Sequence, residues 1–137
     1  MAKFVATDYS VTINGTSFSS SIAAVTFDIS SEEQDTSAFG TTYRTRIGGL
    51  RDASITLDFH QDFGASSVDQ TLFPLLGSQA TVVAKPTSGA VSSTNPSYTG
   101  VFLVTEYSPM ASSIGDLATL SVTWPTAGTA GITRGTA

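Results

Sequence analysis

The sequence predicts an all-β domain, a β-sandwich or barrel of about seven strands with one short helix. Three features carry that prediction. Apolar and polar residues alternate with period two along most segments, Asn, Gly, Pro and Ser punctuate them at regular intervals, and a single segment spaces its apolar residues as a helix would.

The first strand is expected where Tyr9, Val11 and Ile13 alternate with Ser10 and Thr12. Residues 1–7 before it read as a loose leader. Asn14-Gly15 follows, the two-residue pair that suits a type I′ hairpin because both of its central positions need positive φ. A short return through Thr16 to Phe18 and a serine run lead to Ala23 to Ile29, where Val25, Phe27 and Ile29 share one face and Ala24, Thr26 and Asp28 the other. The same pattern resumes at Ala53, with Ile55, Leu57 and Phe59 opposed to Ser54, Thr56, Asp58 and His60.

Between these two strands lies the least ordinary stretch of the chain, Ser31 to Leu50. Hairpins usually close in two to five residues, so a connection of about twenty is either disordered or functional. Its composition favours function. Glu32, Glu33 and Asp35 open it, Arg44 and Arg46 close it with Arg51 just beyond, and Phe39, Tyr43, Ile47 and Leu50 are interleaved. Three of the chain's six cationic residues therefore fall within eight positions. The segment reads as an arm, acidic at one root and basic at the other, with aromatic anchors for burial against a partner.

After a turn-rich linker, Ser67 to Leu76 is the one helix candidate, with Ser66 or Ser67 as N-cap, Asp69 in the first turn, Val68, Leu72, Leu75 and Leu76 on one face, and Gly77 as C-cap. Pro74 limits its length to about two to three turns. Ala80 to Lys85 is a buried strand stopped by Pro86, and Tyr98 to Tyr107 a long strand covered on both faces. Leu117 to Trp124 is the last strand, ended by Pro125. Residues 1–125 thus form one domain, and 126–137, rich in small residues, a flexible tail.

At 137 residues with 40% hydrophobic content the chain can fill a single core. Only 12% of residues are charged, and that scarcity on a Ser- and Thr-rich surface points to surface covered in an assembly. The net charge of −5 argues against gripping nucleic acid through its phosphates. Cysteine is absent, which excludes disulfides and thiol chemistry. The N-terminal MAKFVATDYS has no apolar run, so no secretory signal is expected, and no stretch reaches the length of a membrane span.

His60, the only histidine, shares a strand face with Asp58 and Asp62 at i±2, the spacing that a metal or acid-base site would need. A lone histidine at a strand end is more often a lining residue. No nucleophile elbow, phosphate loop, zinc motif or dinucleotide fingerprint is present, and no enzyme or cofactor is expected. Trp124, Tyr98 and Tyr107 could form a glycan-binding platform on a small acidic sandwich, but Trp124 also belongs to the apolar face of its strand with Val122.

DYSVTING, FGTTYRTRIGGLRDASITLDFHQDF, the helix with Pro-Leu-Leu-Gly, KPTS, NPSYTG, LVTEYSP and GDLATLSVTWP, taken as an ordered set from Asp8 to about Pro125, resemble the major tail proteins that build the tail tube of long, non-contractile-tailed bacteriophages. The resemblance implies a small tail-tube-like β-sandwich or barrel assembling as hexameric rings stacked head to tail, with a long inter-strand loop contacting neighbouring subunits and rings. It also implies a virion-tail location after assembly in the host cytoplasm, with copies of itself, a tape measure protein and a tail terminator as partners, passage of double-stranded DNA, and no membrane. Thr26, Asp28, Thr56 and Asp58 would then face the lumen, where hydroxyls and carboxylates keep phosphates from sticking. Capsid decoration or head-tail connector proteins on the same fold are the alternative, followed by the glycan-binding module.

Overall fold

The fold starts from the Asn14-Gly15 turn, where both residues take positive φ, 50° and 84°, so that β1 (Ser10–Ile13) returns as β2 (Thr16–Ser17). The computed structural model describes Lys3 and residues 5–136; Met1, Ala2, Phe4 and Ala137, and with them part of the expected leader, lie outside the described residues. A single 3-10 turn, Ser19–Ser21, then leads into β3 (Ile22–Asp35), which pairs antiparallel with β4 (Arg46–His60). The helix α1 (Val68–Leu75) follows, then β5 (Gln79–Lys85), β6 (Ser97–Leu103), β7 (Thr119–Pro125) and β8 (Ile132–Gly135).

These strands form two sheets, one of five strands in the order β2-β1-β5-β6-β8 and one of three in the order β3-β4-β7. The architecture is a β-sandwich with a short helix. Its core lies between the sheets, because each strand turns one set of alternate side chains inward. Val11, Ile13, Val82 and Phe102 meet Ile55, Leu57, Phe59, Val122 and Trp124, all essentially without solvent contact. Phe27 of β3 tilts onto Phe102 at 6.1 Å between ring centres, which ties the edge of one sheet to the middle of the other.

Helix α1 plugs one end of the sandwich with Val68 and Leu72, while Leu75 is partly buried and Leu76 exposed. Ser67 is its N-cap residue, although its side chain makes no capping hydrogen bond. Gly77, at φ 84°, reverses the chain just after the helix and donates its N–H to Val104 O at 2.8 Å. Pro74 is accommodated in the last turn. Tyr107 anchors the helix start, since its hydroxyl donates to Asp69 Oδ1 at 2.6 Å and accepts from Gln61 Nε2 at 3.1 Å.

The structure corrects two boundaries. The strand expected to run to Tyr107 stops at Leu103, because there the chain crosses from the five-stranded to the three-stranded sheet. Val104 N donates to Ser78 O, and beyond it Glu106 Oε1 accepts from Thr123 N at 2.7 Å while Trp124 Nε1 donates to Glu106 O at 3.1 Å. The tail expected to be flexible over 126–137 instead returns to the five-stranded sheet. Thr126 N bonds Ala53 O, Ala127 N bonds Val101 O, and β8 pairs with β6 from Gly100↔Ile132 to Ser97↔Gly135. Gly100 makes this possible, because a Cβ there would lie 2.6 Å from Ile132 Cδ1. Ile132 packs on the core through that gap.

Candidate functional site

The arm is built by continuation of β3 and β4 beyond the sandwich rather than by a loop. Val25, Phe27 and Ile29 face the core opposite Leu57, Ile55 and Ala53. Past Ala53 no opposing sheet remains, and Ile29 is already more than half exposed. The ladder nevertheless continues through Ser31↔Arg51, Glu33↔Gly48 and Asp35↔Arg46. From Ile29 to Asp35 it projects about 20 Å as a two-stranded ribbon.

Between the Ser31↔Arg51 and Glu33↔Gly48 pairs the register shifts, β4 spending one residue more than β3. Such a bulge bends and twists a ribbon. Gly48 and Gly49 sit at this point, and a Cβ on Gly49 would stand 3.1 Å from Glu32 Cβ. The close approach is what the absent side chains permit.

The charge sorting seen in the sequence resolves within the ribbon. Acidic β3 and basic β4 lie side by side, so Glu33 Oε1 meets Arg46 Nε at 2.6 Å and Asp35 Oδ2 meets Arg44 Nη1 at 2.9 Å. Both pairs are exposed, so solvent screening leaves each contributing little to stability. The two roots of the arm therefore neutralise one another in the same chain. The tip, residues 36–45, is closed by Thr36 N to Thr45 O at 2.7 Å, Thr45 N to Ser37 Oγ at 2.9 Å and Ser37 N to Asp35 Oδ1 at 2.8 Å. The Ser37 backbone donor, its hydroxyl and then Arg44 hold the Asp35 carboxyl below the usual carboxylate range. Phe39 and Tyr43 stand fully or almost fully in solvent at this tip, and Ile47 and Leu50 are exposed along the ribbon.

The second feature is the outer face of the three-stranded sheet. Its register places Thr26 beside Thr56 and Thr56 beside Thr123, with Asp28 opposite Ser54 and Asp58 flanked by Ala24 and Ser121. Thr56 and Thr123 hydroxyls are 3.1 Å apart. All four residues expected on one polar face share it, together with three hydroxyls of β7 that the sequence reading left out: Thr119, Ser121 and Thr123. Their alternation with Leu120, Val122 and Trp124 was the available signal. No lysine or arginine stands on this face between Thr26 and Asp28, Ser54 and His60, or Thr119 and Thr123.

The other chemical candidates disperse. Asp62 does not join His60, because its Oδ1 accepts Gly64 N at 2.8 Å and its carbonyl accepts Asp69 N. His60 Nδ1 is buried without a hydrogen-bond partner. Among the described residues no group of three or more His, Cys, Asp or Glu could hold a metal ion. The glycan platform is not assembled: Trp124 is fully buried, Tyr98 packs towards Phe27 at 6.2 Å and Tyr107 is engaged with Asp69.

No family model matches the chain, and no curated protein does. Four chains of solved structures match. One, from the virion of a native gene transfer agent particle, is similar with a TM-score of 0.72 at 17% identity, over 93% of this chain and 95% of that one. At that identity the likeness establishes a shared fold across nearly the whole of both chains.

Proposed function

We propose that this chain is a structural virion protein that polymerises as homo-hexameric rings, stacked head to tail into a tail tube through which DNA leaves the particle. The observation that carries the reading is that one three-stranded sheet bears both devices a conduit needs. Its outer face offers hydroxyls, carboxylates, Ala24 and the edge histidine but no lysine or arginine, and its two longest strands extend into an arm whose residues are exposed along its length. The gene transfer agent virion chain, matched along almost its entire length, supports a virion role on this fold.

In this reading β3 matters twice. Among the described residues it pairs only with β4, so one edge of a 14-residue strand is open for a neighbouring copy. Its polar face, with that of β4 and β7, turns to the lumen, where Thr26, Asp28, Thr56 and Asp58 present a surface that repels phosphate. The role involves no catalysis and no cofactor. Copies of the chain, a tape measure protein, a tail terminator and passing double-stranded DNA are the partners, in a virion tail assembled in the host cytoplasm.

The test is negative-stain electron microscopy of the purified protein across protein and salt concentrations. Stacked rings or hollow tubes are expected. Monomers or closed dimers throughout would refute the reading, and discrete rings that never stack would point to a connector.

A further inference from the structure

The three-stranded sheet has two edges, β3 and β7, and the chain treats them differently. On β7 the amides of Thr119 and Thr123 point away from β4, as their hydrogen-bond partners show, and the period of two adds Ser121 between them and Pro125 after them. Thr56 lies opposite Thr123 and therefore turns its backbone groups to Thr26 on its other side, which leaves Val25, Phe27 and Ile29 as the outward residues of β3. Among the described residues no strand lies beyond either edge, and on β3 nothing outside the β4 ladder bonds the backbone of those three. That edge is bare.

The β7 edge is closed by the segment that follows β6. Glu106 Oε1 accepts Thr123 N at 2.7 Å, and Thr105 Oγ1 donates towards Thr123 O at 3.5 Å. Ser112 Oγ accepts Thr119 N at 3.0 Å and turns back on Thr119 O at 3.4 Å. Pro125 has no N–H to offer. Only Ser121, between them, is left uncovered among the described residues. The backbone that carries Glu106 is fixed from behind: Val104 is buried in the core, its N–H donates to Ser78 O, and the indole of buried Trp124 donates to Glu106 O at 3.1 Å.

Glu106 itself is exposed, and it is the only charged residue between Pro86 and Gly115. A carboxylate suits the place, because it accepts the strand's N–H and has no donor to hand on to a further strand. A charge set on an edge also resists being covered by one. We propose that Glu106 and Ser112 guard the β7 edge against the backbone of a second copy, so that strand pairing between copies is confined to the β3 side. The guard does not depend on the tube reading, since the bare β3 edge of any other copy is an extended strand that an open β7 would take up. Where the tube reading holds, the guard decides which edge carries the seam.

The experiment compares the wild-type chain with the double variant Glu106→Ala, Ser112→Ala by sedimentation and by amide exchange. In dilute solution the variant should keep the emission of buried Trp124 while exchange quickens several-fold at Thr119 and about tenfold at Thr123, the scale of one lost hydrogen bond to a neutral and to a charged group. On concentration it should associate at a protein level about tenfold or more below that of the wild type, with protection appearing at Thr119, Ser121 and Thr123. The single variant Glu106→Gln, which keeps an oxygen for the Thr123 N–H but loses the charge, should follow the wild type. Association of the double variant at the wild-type level, or association that leaves these three amides exchanging freely, would overturn the guard. So would a Glu106→Gln chain that associates as Glu106→Ala does. Should the double variant lose the Trp124 emission, Glu106→Ala and Ser112→Ala are read singly by the same criteria. A wild-type chain that forms no tubes sinks the assembly reading alone, because the guard is read from the difference between variant and wild type.

Discussion

Replacing Asp28 and Asp58 with lysine tests the polar face as a conduit wall. Asp28 lies opposite Ser54, and Asp58 is four residues further along β4 on the same face. Four residues of strand and one strand spacing put the two side chains about 14 Å apart. That exceeds the Debye length of about 8 Å at physiological salt, so the two substitutions act almost independently. Each sits outside the core, and the cost to folding should stay within about 0.5 kcal/mol per site. The consequence for DNA is larger. Each lysine that meets a phosphate contributes about −0.9 to the slope of log affinity against log salt. If the passing duplex touches only two lysines at a time, lowering salt from about 0.2 M to about 0.05 M tightens its hold on the wall by about 12-fold. Particles assembled with the double variant should therefore have tails of normal length and eject DNA several-fold more slowly in low salt, with the difference fading in high salt. Ejection unchanged at low salt would refute the placement of these residues on the channel wall. Loss of tubes would place them in an interface between subunits.

Three further outcomes follow from single contacts. Gly100→Val forces a side chain to within the 2.6 Å approach to Ile132 Cδ1, so β8 should be displaced at a cost of about 1–3 kcal/mol, read by urea denaturation and by new proteolysis after residue 126; unchanged stability would mean that β8 is not docked through this gap. The Asp35 carboxyl is held below its ordinary range by Ser37, so the order it lends the arm tip is present above the unfolded carboxylate pKa of about 4 and lost as pH falls through its lower folded value. Amide exchange at Ser37 and Thr45 should quicken below that range, and Asp35→Asn should remove the pH dependence. Burial, then its bond to Asp69, raises the Tyr107 hydroxyl above its ordinary pKa, so this contribution is whole below the unfolded tyrosine value of about 10 and is lost as pH rises through the higher folded one. Tyr107→Phe should cost about 1 kcal/mol at neutral pH and lose less stability than wild type on alkaline titration, followed through the emission of Trp124, the chain's only tryptophan.

Sequence alone was enough for the sandwich core. Each core strand faces a hydrophobic layer on one side and solvent on the other, and that asymmetry writes itself as alternation: Ile55, Leu57, Phe59 against Thr56, Asp58, or Leu120, Val122, Trp124 against Ser121, Thr123. The Asn14-Gly15 turn, the helix ending at Gly77 and the shared polar face of Thr26, Asp28, Thr56 and Asp58 were legible for the same reason, since local backbone geometry or one-sided burial demands particular residue types. The arm was legible as a place but not as a structure. Ser31, Glu33 and Asp35 continue the period of Val25, Phe27 and Ile29, yet with water on both faces the alternation carries no hydrophobic contrast, and backbone pairing leaves no mark in side-chain chemistry. Tertiary structure alone decided that the acidic and basic roots neutralise each other across the ribbon, because which residues face each other depends on a register set by the core strands and slipped by the bulge at Gly48 and Gly49. It alone decided the fate of the C-terminal segment as well: Ile132 is a single apolar residue among small ones, and only the space left by the missing side chain of Gly100, some thirty residues earlier in the chain, makes it a strand.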